Sequence, residues 1–156
     1  MSRNYEKEED ILAHEGDDYE RFLGAVVPPI FQNTLFVLPT AGNGIPEHPY
    51  VYSRVTNPTV EVVEKKLAAL EHGEDALCFS SGMAAISSAI MHFVEKDCHV
   101  ITVRSIYGPT RTLLKDYLPR KFGVETTLLC QEEAMHLEDY VRDNTRLIYL
   151  ESPSSG

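Results

Sequence analysis

The spacing of apolar and polar residues divides the chain into an irregular first part, up to residue 56, and a regular part from residue 57 onward. In the regular part, segments with apolar residues at helical spacing alternate with short, continuous apolar runs. Continuous runs of this kind are typical of strands in a parallel sheet that is buried on both faces. The pattern therefore predicts an α/β fold with helices on both faces of a parallel sheet.

The regular part is predicted to contain four helices and four strands. The first helix has Asn57 as its N-cap and Pro58 as its first residue, and it ends before Gly73. Its apolar residues form one stripe: Val60, Val63, Leu67 and Leu70. The other predicted helices span residues 82–94, 109–118 and 132–141, and the predicted strands span residues 76–79, 99–103, 124–130 and 147–150.

Two of these helices carry an expectation about burial. The helix at 82–94 is apolar nearly all round, so we expect it to be buried. The helix at 109–118 is expected to turn Leu113, Leu114 and Tyr117 toward the core.

Residues 1–56 show no regular period and predict an extended N-terminal arm. The first twenty residues are acidic and polar, and Pro28 and Pro29 keep the following apolar run extended rather than helical. Residues 40–48 are rich in glycine and proline and predict a loop. Because the arm has apolar patches without a regular face, we expect it to pack on something other than its own domain.

Composition and charge exclude several classes of protein. A length of 156 residues and a hydrophobic content of 43% suit a globular domain. The formal net charge of −10 argues against nucleic acid or an anionic membrane as a partner. Three cysteines without framework spacing, and the lack of an apolar leader or a membrane-length apolar run, predict a cytoplasmic protein. The six histidines have no metal-ligand spacing, so no metal site is predicted.

The candidate site lies where the predicted strands end, because ligands of parallel α/β sheets bind beyond the carboxyl ends of the strands. Three segments follow predicted strands directly, at residues 80–83, 104–108 and 151–156. No glycine-rich dinucleotide fingerprint accompanies them, which makes a nucleotide-binding doubly wound domain the weaker alternative.

Two groups of residues in the chain suit a phosphate. Ser81, Gly82 and Met83 open a helix, where unpaired N–H groups and the helix dipole favour an anion. Tyr52 and Arg54 offer a hydroxyl and a guanidinium two residues apart. Each group also has a plain structural interpretation, as a strand-to-helix turn and as a surface arginine beside a packed tyrosine.

Tyr107 offers an aromatic ring in the loop after the second predicted strand, beside Gly108. A ring in this position can stack on a flat ligand, or it can simply cover the edge of the sheet. The residue alone leaves both interpretations open.

Five motifs occur in order along the chain: Gly-Ala-Val-Val-Pro-Pro-Ile-Phe-Gln at 24–32, Tyr-Ser-Arg-Val-Thr-Asn-Pro-Thr at 52–59, Ser-Ser-Gly-Met-Ala-Ala at 80–85, Tyr-Gly-Pro-Thr at 107–110 and Glu-Ser-Pro at 151–153. With these motifs, residues 20–156 resemble the trans-sulfuration, or Cys/Met-metabolism, family of pyridoxal-phosphate (PLP) enzymes of fold type I. The resemblance implies a three-layer, aspartate aminotransferase-like fold that is truncated here. Residues 57–156 would form the first part of its PLP-binding domain, and residues 1–56 an arm that reaches a neighbouring subunit.

The resemblance implies that two parts of the chain hold the PLP phosphate. Ser81, Gly82 and Met83 match the segment that gives backbone amides to this phosphate. Tyr52 and Arg54 match the pair that reaches the phosphate of the neighbouring subunit.

Three further residues match positions around the PLP ring. Tyr107 matches the aromatic residue that stacks on the pyridine and contacts the substrate, and it is the candidate catalytic residue. Glu151 matches the glutamate beside the cofactor. Ser155 stands where the family often has an asparagine that contacts the PLP hydroxyl. Pro109 replaces the cysteine that methionine gamma-lyases carry two residues after the stacking tyrosine.

The resemblance implies an N-terminal part of an enzyme of sulfur amino acid metabolism that cleaves or forms carbon–sulfur bonds. Cystathionine lyases, cystathionine gamma-synthases and O-acetylhomoserine sulfhydrylases are the members it suggests, acting on small-molecule substrates as homo-oligomers, namely dimers of dimers. In the family, the Schiff-base lysine follows the Glu-Ser-Pro motif, and no lysine of this chain matches it. The chain alone is therefore expected to be inactive. The alternative is a non-catalytic fragment that keeps only the fold and self-association.

Overall fold

Two units divide the chain between Cys78 and Phe79 in a computed structural model that describes residues 7–40 and 44–153. The first unit contains helices α1 (Glu8–His14) and α2 (Pro58–Leu70), together with the irregular chain that was predicted to be an arm. The second unit contains the sheet and the remaining helices. Helix α2 therefore belongs to the same unit as the arm, whereas the sequence predicted a domain boundary after residue 56.

Helix α2 begins and ends where the sequence predicts. The side chain of Asn57 accepts a hydrogen bond of 2.9 Å from the Thr59 N–H, and Pro58 occupies the first turn. After the last helical residue, Leu70, the Gly73 N–H donates to the Ala68 carbonyl at 2.8 Å. Local capping chemistry therefore sets both ends.

The buried face of α2 differs from its apolar stripe. Val60, Val63 and Leu67 are exposed, and the helix buries Pro58, Val62 and Ala68 instead. The reason is tertiary: α1 and the turn after it pack on this side. A Cβ added at Gly16 would lie 3.3 Å from Val62, and Lys66 Nζ donates to the Leu12 carbonyl at 2.7 Å.

Part of the arm contacts the start of α2 within its own unit, and its predicted contact with a neighbouring subunit stays a prediction. The Phe31 N–H donates to Thr59 Oγ1 at 2.8 Å, and Asn57 Nδ2 donates to the Phe31 carbonyl at 3.1 Å. A row of aromatic rings with centroids 5.3–6.3 Å apart lines this contact: Phe22, Phe31, Phe36 and Tyr50. Several apolar side chains of the same segment stay exposed: Leu23, Val26, Val27, Ile30, Leu35 and Val37.

The second unit is built on a parallel sheet of three strands, β1 (His99–Val103), β2 (Glu125–Leu129) and β3 (Thr145–Tyr149). Their order is β2-β1-β3, so β1 lies in the centre, and Val100 and Ile101 in it are fully buried. Three of the four predicted strands are thereby confirmed, with ends that shift by one or two residues.

The remaining predicted strand, at residues 76–79, does not form in the described part of the chain. Leu77 is 73% exposed and Phe79 is 44% exposed. No other described strand pairs with this segment, and the Cys78 N–H donates to Glu64 Oε1 at 2.8 Å instead. A strand needs a neighbour for its backbone groups, which an apolar run by itself does not provide.

Helix α3 (Gly82–Phe93) forms as predicted, but it is not buried all round. Ile90 is its one fully buried residue, whereas Met91 and Phe93 are exposed. Ile86 and Ile90 pack into a core that also contains Val100, Leu114 and Leu118. An apolar composition on every side was therefore a poor guide to burial for this helix.

The third helical region is longer than predicted and changes its inner face. Helix α4 (Gly108–Thr112) continues through a π-helical turn (Leu113–Tyr117) into α5 (Leu118–Phe122). Leu114 and Leu118 are fully buried, Leu113 is partly buried and Tyr117 is exposed, so the expectation for Tyr117 is wrong. A π turn holds an extra residue, which moves the inward position from 117 to 118.

The predicted helix at 132–141 is broken into two short pieces. Helix α6 (Gln131–Ala134) is followed by a 3₁₀ turn (Leu137–Tyr140). Between them His136 has φ −128° and ψ 43°, which is not helical. Neither piece contains a fully buried residue, so tertiary packing does not hold a longer helix together here.

Candidate functional site

The three segments predicted to form the site belong to the second unit, and two of them meet at Glu151. The Tyr107 N–H donates to Glu151 Oε2 at 2.8 Å across a separation of 44 residues. The hydroxyl of Tyr149 donates to the other oxygen, Glu151 Oε1, at 2.9 Å. One carboxylate therefore fixes the backbone of the Tyr107 loop to the end of β3.

Burial and the hydrogen bond to Glu151 raise the pKa of Tyr149 above its ordinary value. The phenol of Tyr149 therefore stays protonated near neutral pH and keeps donating to the carboxylate. The carboxylate of Glu151 thus connects Tyr149 to the backbone of the Tyr107 loop.

The start of α3 presents unpaired backbone N–H groups. Ser81 has an extended backbone, and its Oγ accepts a hydrogen bond of 3.1 Å from the Ala84 N–H. The N–H groups of Gly82 and Met83 precede the first possible intrahelical acceptor. Apart from its chain neighbours and the backbone of its own helix, no heavy atom of the described residues lies within 4 Å of a Cβ added at Gly82, so there is open space at this position.

Thr110 joins the start of α3 to the Tyr107 loop. Its side chain is fully buried, and its Oγ1 donates to the sulfur of Met83 at 3.8 Å. Since Thr110 lies one helical turn after Tyr107, the segment at 80–83 is connected to the segment at 104–108. The start of α3, the Tyr107 loop and the Glu151 carboxylate are thus connected in the second unit, and their assignment to a cofactor site stays a prediction.

Tyr107 itself is available to a ligand, because the residue is 44% exposed. Its backbone is held while its ring is not enclosed, which suits a residue that stacks on a flat ligand. Ser155 lies outside the described residues, and its assignment stays a prediction.

Tyr52 and Arg54 lie in the first unit. The guanidinium carbon of Arg54 is 5.0 Å from the centroid of the Tyr52 ring, and Tyr52 forms an isolated antiparallel bridge with Leu35. Arg54 is exposed and has no ion pair with a carboxylate among residues 7–40 and 44–153. The two side chains therefore contact each other, and no carboxylate among the described residues neutralises the charge of Arg54.

Sequence reasoning missed Thr110 and Tyr149, which connect the site residues to one another. Tyr149 was detectable in part, because it stands two residues before Glu151 at the end of a strand, and such residues share a face. Thr110 is the last residue of the Tyr-Gly-Pro-Thr motif at 107–110, but no role was predicted for it. Within the described part of the chain, no group of three or more His, Cys, Asp or Glu residues could hold a metal ion, and no helix is long and apolar enough to span a membrane.

Comparison with known proteins places this chain in a family. The family described as Cys/Met metabolism PLP-dependent enzyme matches residues 9–156. L-methionine gamma-lyase from Fusobacterium nucleatum is 38% identical over 137 residues, which are 85% of this chain and 34% of that protein.

Two solved structures share the fold. That of metB from Corynebacterium glutamicum has a TM-score of 0.86 at 28% identity, and it covers 99% of this chain and 40% of its own. A metY structure from Campylobacter jejuni, named for an O-acetylhomoserine (thiol)-lyase, was solved with N'-pyridoxyl-lysine-5'-monophosphate. Its TM-score is 0.82 at 29% identity, and it covers 97% of this chain and 38% of its own.

The chain thus spans between about a third and two fifths of the length of these proteins. The expectation of an α/β fold with a parallel sheet, like that of PLP-dependent enzymes, is confirmed. The match covers nearly the whole chain and includes the loops that meet at Glu151. This chain belongs to the Cys/Met-metabolism family of PLP-dependent enzymes.

Proposed function

We propose that this chain is the N-terminal part of a PLP-dependent enzyme that cleaves or forms carbon–sulfur bonds in sulfur amino acids. The observation that carries the proposal is the meeting of the open α3 N-terminus with the Tyr107 loop, joined through Thr110 and fixed by Glu151. A phosphate needs donors and a flat ring needs an aromatic surface, and this end of the sheet offers both.

The residues present fit a phosphate at the start of α3. The amides of Gly82 and Met83 point out of the first turn of a helix of 12 residues, whose dipole favours an anion. The open space at Gly82 allows a ligand to approach the backbone. Ser81 contributes by holding this turn through its bond to Ala84.

Tyr107 would cover one face of the pyridine and meet the substrate. Glu151 would act on it indirectly, by holding the Tyr107 backbone at a fixed distance from the end of β3. When bound, PLP withdraws electrons from the substrate α-carbon and so makes the bonds around it easier to break. The chain's residues hold the phosphate, orient the ring and leave the reacting face open to a small sulfur amino acid.

Tyr52 and Arg54 would complete the phosphate site of a neighbouring subunit. The support is the exposed guanidinium of Arg54, which has no carboxylate partner in the described chain and is stacked on the Tyr52 ring. The exposed apolar side chains between Leu23 and Val37 belong to the same unit as Tyr52 and Arg54, and they offer a surface on which a second copy of the chain could pack. We therefore propose a homo-oligomer, with a dimer of dimers as its full form, in the cytoplasm.

The complete reaction would require residues that this chain does not match, above all a Schiff-base lysine. The activity is therefore proposed for the full-length protein, and this chain by itself is proposed to bind without turnover. A cystathionine lyase, a cystathionine gamma-synthase and an O-acetylhomoserine sulfhydrylase all fit the same site.

The test is a titration of this chain with PLP and, separately, with pyridoxal, which lacks the phosphate. Backbone amide resonances of Gly82 and Met83 are followed by nuclear magnetic resonance. We expect PLP to shift both signals and pyridoxal to leave them unchanged at the same concentration. Equal responses to the two compounds, or shifts confined to surface lysines, would overturn the phosphate assignment.

A pair of variants tests the arm. Because a charge-assisted hydrogen bond contributes about 1.5–3 kcal/mol, Arg54→Ala should weaken PLP binding by about tenfold to a hundredfold. Arg120→Ala removes the same charge from an exposed position of α5 and should leave the affinity unchanged. If both variants bind PLP as the original chain does, Arg54 has no role in the site.

A further inference from the structure

The second unit carries a cavity of about 730 Å³ that none of the proposed PLP contacts uses. We call it the basic groove, and its lining residues are Arg104, Arg111, Thr112, Lys115, Asp116 and Leu128. Its volume is in the range of small-molecule sites, which are cavities of about 300–1,000 Å³. Three cations and one carboxylate leave a surplus of two positive charges, in a chain whose formal net charge is −10.

Arg104 is held at the edge of the basic groove by the sheet. It follows β1 directly, and its Nε donates to the carbonyl of Leu128 in β2 at 3.2 Å. Its Nη2 lies 3.8 Å from Glu133 Oε2, at the outer limit of an ion pair. One N–H of the guanidinium is therefore fixed by the backbone, while others remain available.

Arg111 and Lys115 stand four residues apart on the same helical region, and both line the cavity. Neither has an ion pair within the part of the chain that the structure describes. A carboxylate three or four residues away on the same helix face could pair with such a cation. Lys65 in α2 shows this arrangement, because it pairs with Glu61 at the same spacing, at 2.8 Å. Arg111 and Lys115 are thus left without an ion-pair partner among the described residues, whereas Arg104 has only its contact of 3.8 Å with Glu133.

The basic groove is separate from the proposed PLP contacts. Thr110 and Arg111 are neighbours on the helix, but Thr110 is buried against Met83 whereas Arg111 is exposed and lines the cavity. The Tyr107 backbone is engaged by Glu151, which is not among the residues of the cavity. Occupation of one site does not need the side chains of the other.

We infer that the basic groove binds a small organic or inorganic polyanion through its phosphate or carboxylate groups. Guanidinium groups match both anions by paired hydrogen bonds, and the ammonium of Lys115 adds a third positive charge. The lining contains no aromatic residue on which a nucleobase would stack. Single-stranded nucleic acid is therefore the less suitable ligand.

Titrations with pyrophosphate and with citrate test the groove and separate the two ligand chemistries. Binding is followed by calorimetry, first at low salt and then at physiological salt, together with the side-chain Nε signals of Arg104 and Arg111. We expect at least one of the two ions to bind, with shifts of both arginine signals and weaker binding at higher salt. Tighter binding of pyrophosphate identifies a phosphate site, and tighter binding of citrate identifies a carboxylate site.

Two matched double variants keep the test specific. Arg111→Ala with Lys115→Ala should weaken binding by about tenfold or more. Arg120→Ala with Lys121→Ala removes the same charge from exposed α5 positions outside the cavity and should change little. Equal losses in the two variants, or no binding of either ion at millimolar concentration, would overturn the proposal. The amide signals of Gly82 and Met83 are read in the same samples, so the PLP proposal succeeds or fails independently.

Discussion

Several side chains of the first unit bind to one charged residue, Glu61 of α2. In the second unit the corresponding residue is a neutral one, His99 of β1, which forms hydrogen bonds with side chains of both neighbouring strands. The carboxylate of Glu61 accepts hydrogen bonds from Arg21 at 3.0 Å and from the hydroxyl of Tyr50, and it forms an ion pair with Lys65 at 2.8 Å. His99 is fully buried between two hydroxyl groups, Thr127 Oγ1 and Thr145 Oγ1, each 2.8 Å from one ring nitrogen.

The difference follows from what each unit can bury. The first unit has little regular structure, and side-chain contacts of α2 hold its irregular segments. The second unit has a sheet with a closed apolar core, in which His99 spans all three strands. Contacts of charged side chains hold the first unit together, whereas burial of apolar area holds the second unit together. Acid should therefore affect the two units over different pH ranges.

The largest expected effect is the loss of a core side chain in the second unit. Leu118 is fully buried, so Leu118→Ala should lower the free energy of unfolding by about 2–5 kcal/mol. Tyr117→Ala, one residue earlier and exposed, should cost less than about 1 kcal/mol. Urea unfolding, read by hydrogen exchange of the β1 amides, measures both. Similar losses would show that Tyr117 belongs to the core after all.

A smaller effect is expected from Glu61→Gln in the first unit. Burial would raise the pKa of Glu61, but hydrogen bonds from Lys65, Tyr50 and Arg21 bring it down from 4.5 to about 2. A lowered carboxyl pKa gives stability that is present above the unfolded value and lost as the pH falls from about 4.5 to about 2. The variant should lose about 1–3 kcal/mol at neutral pH.

The pH profile distinguishes this contribution from general acid unfolding. Hydrogen exchange of the α2 amides should become less dependent on pH in Glu61→Gln across the range between the two pKa values. Glu71→Gln, at an exposed position just after α2, is the matched control and should keep the original profile. An unchanged profile in both variants would contradict the central role of Glu61.

The smallest effect concerns His99 and occurs at a higher pH. Burial, and then the nearby charge of Arg142, lower the pKa of His99, while Glu125 opposes them. The unfolded chain takes up the proton below about pH 6.5 but the folded chain resists it, so stability is full above that value and falls below it. His99→Gln should remove this dependence and cost about 1 kcal/mol near pH 8.

Unfolding midpoints in urea at about pH 8 and about pH 5.5 check this expectation. The exposed His92 provides the control, since His92→Gln should leave the drop in stability in place. A drop of equal size in His99→Gln would show that another group causes it.

The parts of the fold that were predicted correctly have local causes. Asn57 caps α2 through its own neighbour Thr59, and Ser81 caps α3 through Ala84. The strands at 99–103, 125–129 and 145–149 come from short runs rich in β-branched residues. These features need only a few residues in sequence, so the pattern was sufficient.

The parts that were missed depend on distant residues. Helix α1 and Gly16 pack against α2 and so determine which of its faces is buried. The segment at 76–79 forms no strand because no strand of the described chain pairs with it. In the candidate site, the motifs located Tyr107 and Glu151 separately. Only the fold showed that one holds the other across 44 residues, with Tyr149 as a support.

The sequence by itself determined the helices α2 and α3 with their N-caps, the three strands of the sheet and the family to which the chain is similar, because these depend on neighbouring residues and short motifs. The tertiary structure alone decided which face of each helix is buried, where the π turn moves the core position to Leu118, and which cations remain unpaired in the basic groove. Burial and charge pairing depend on which distant surfaces meet in space, and the spacing of residues along one segment does not contain that information.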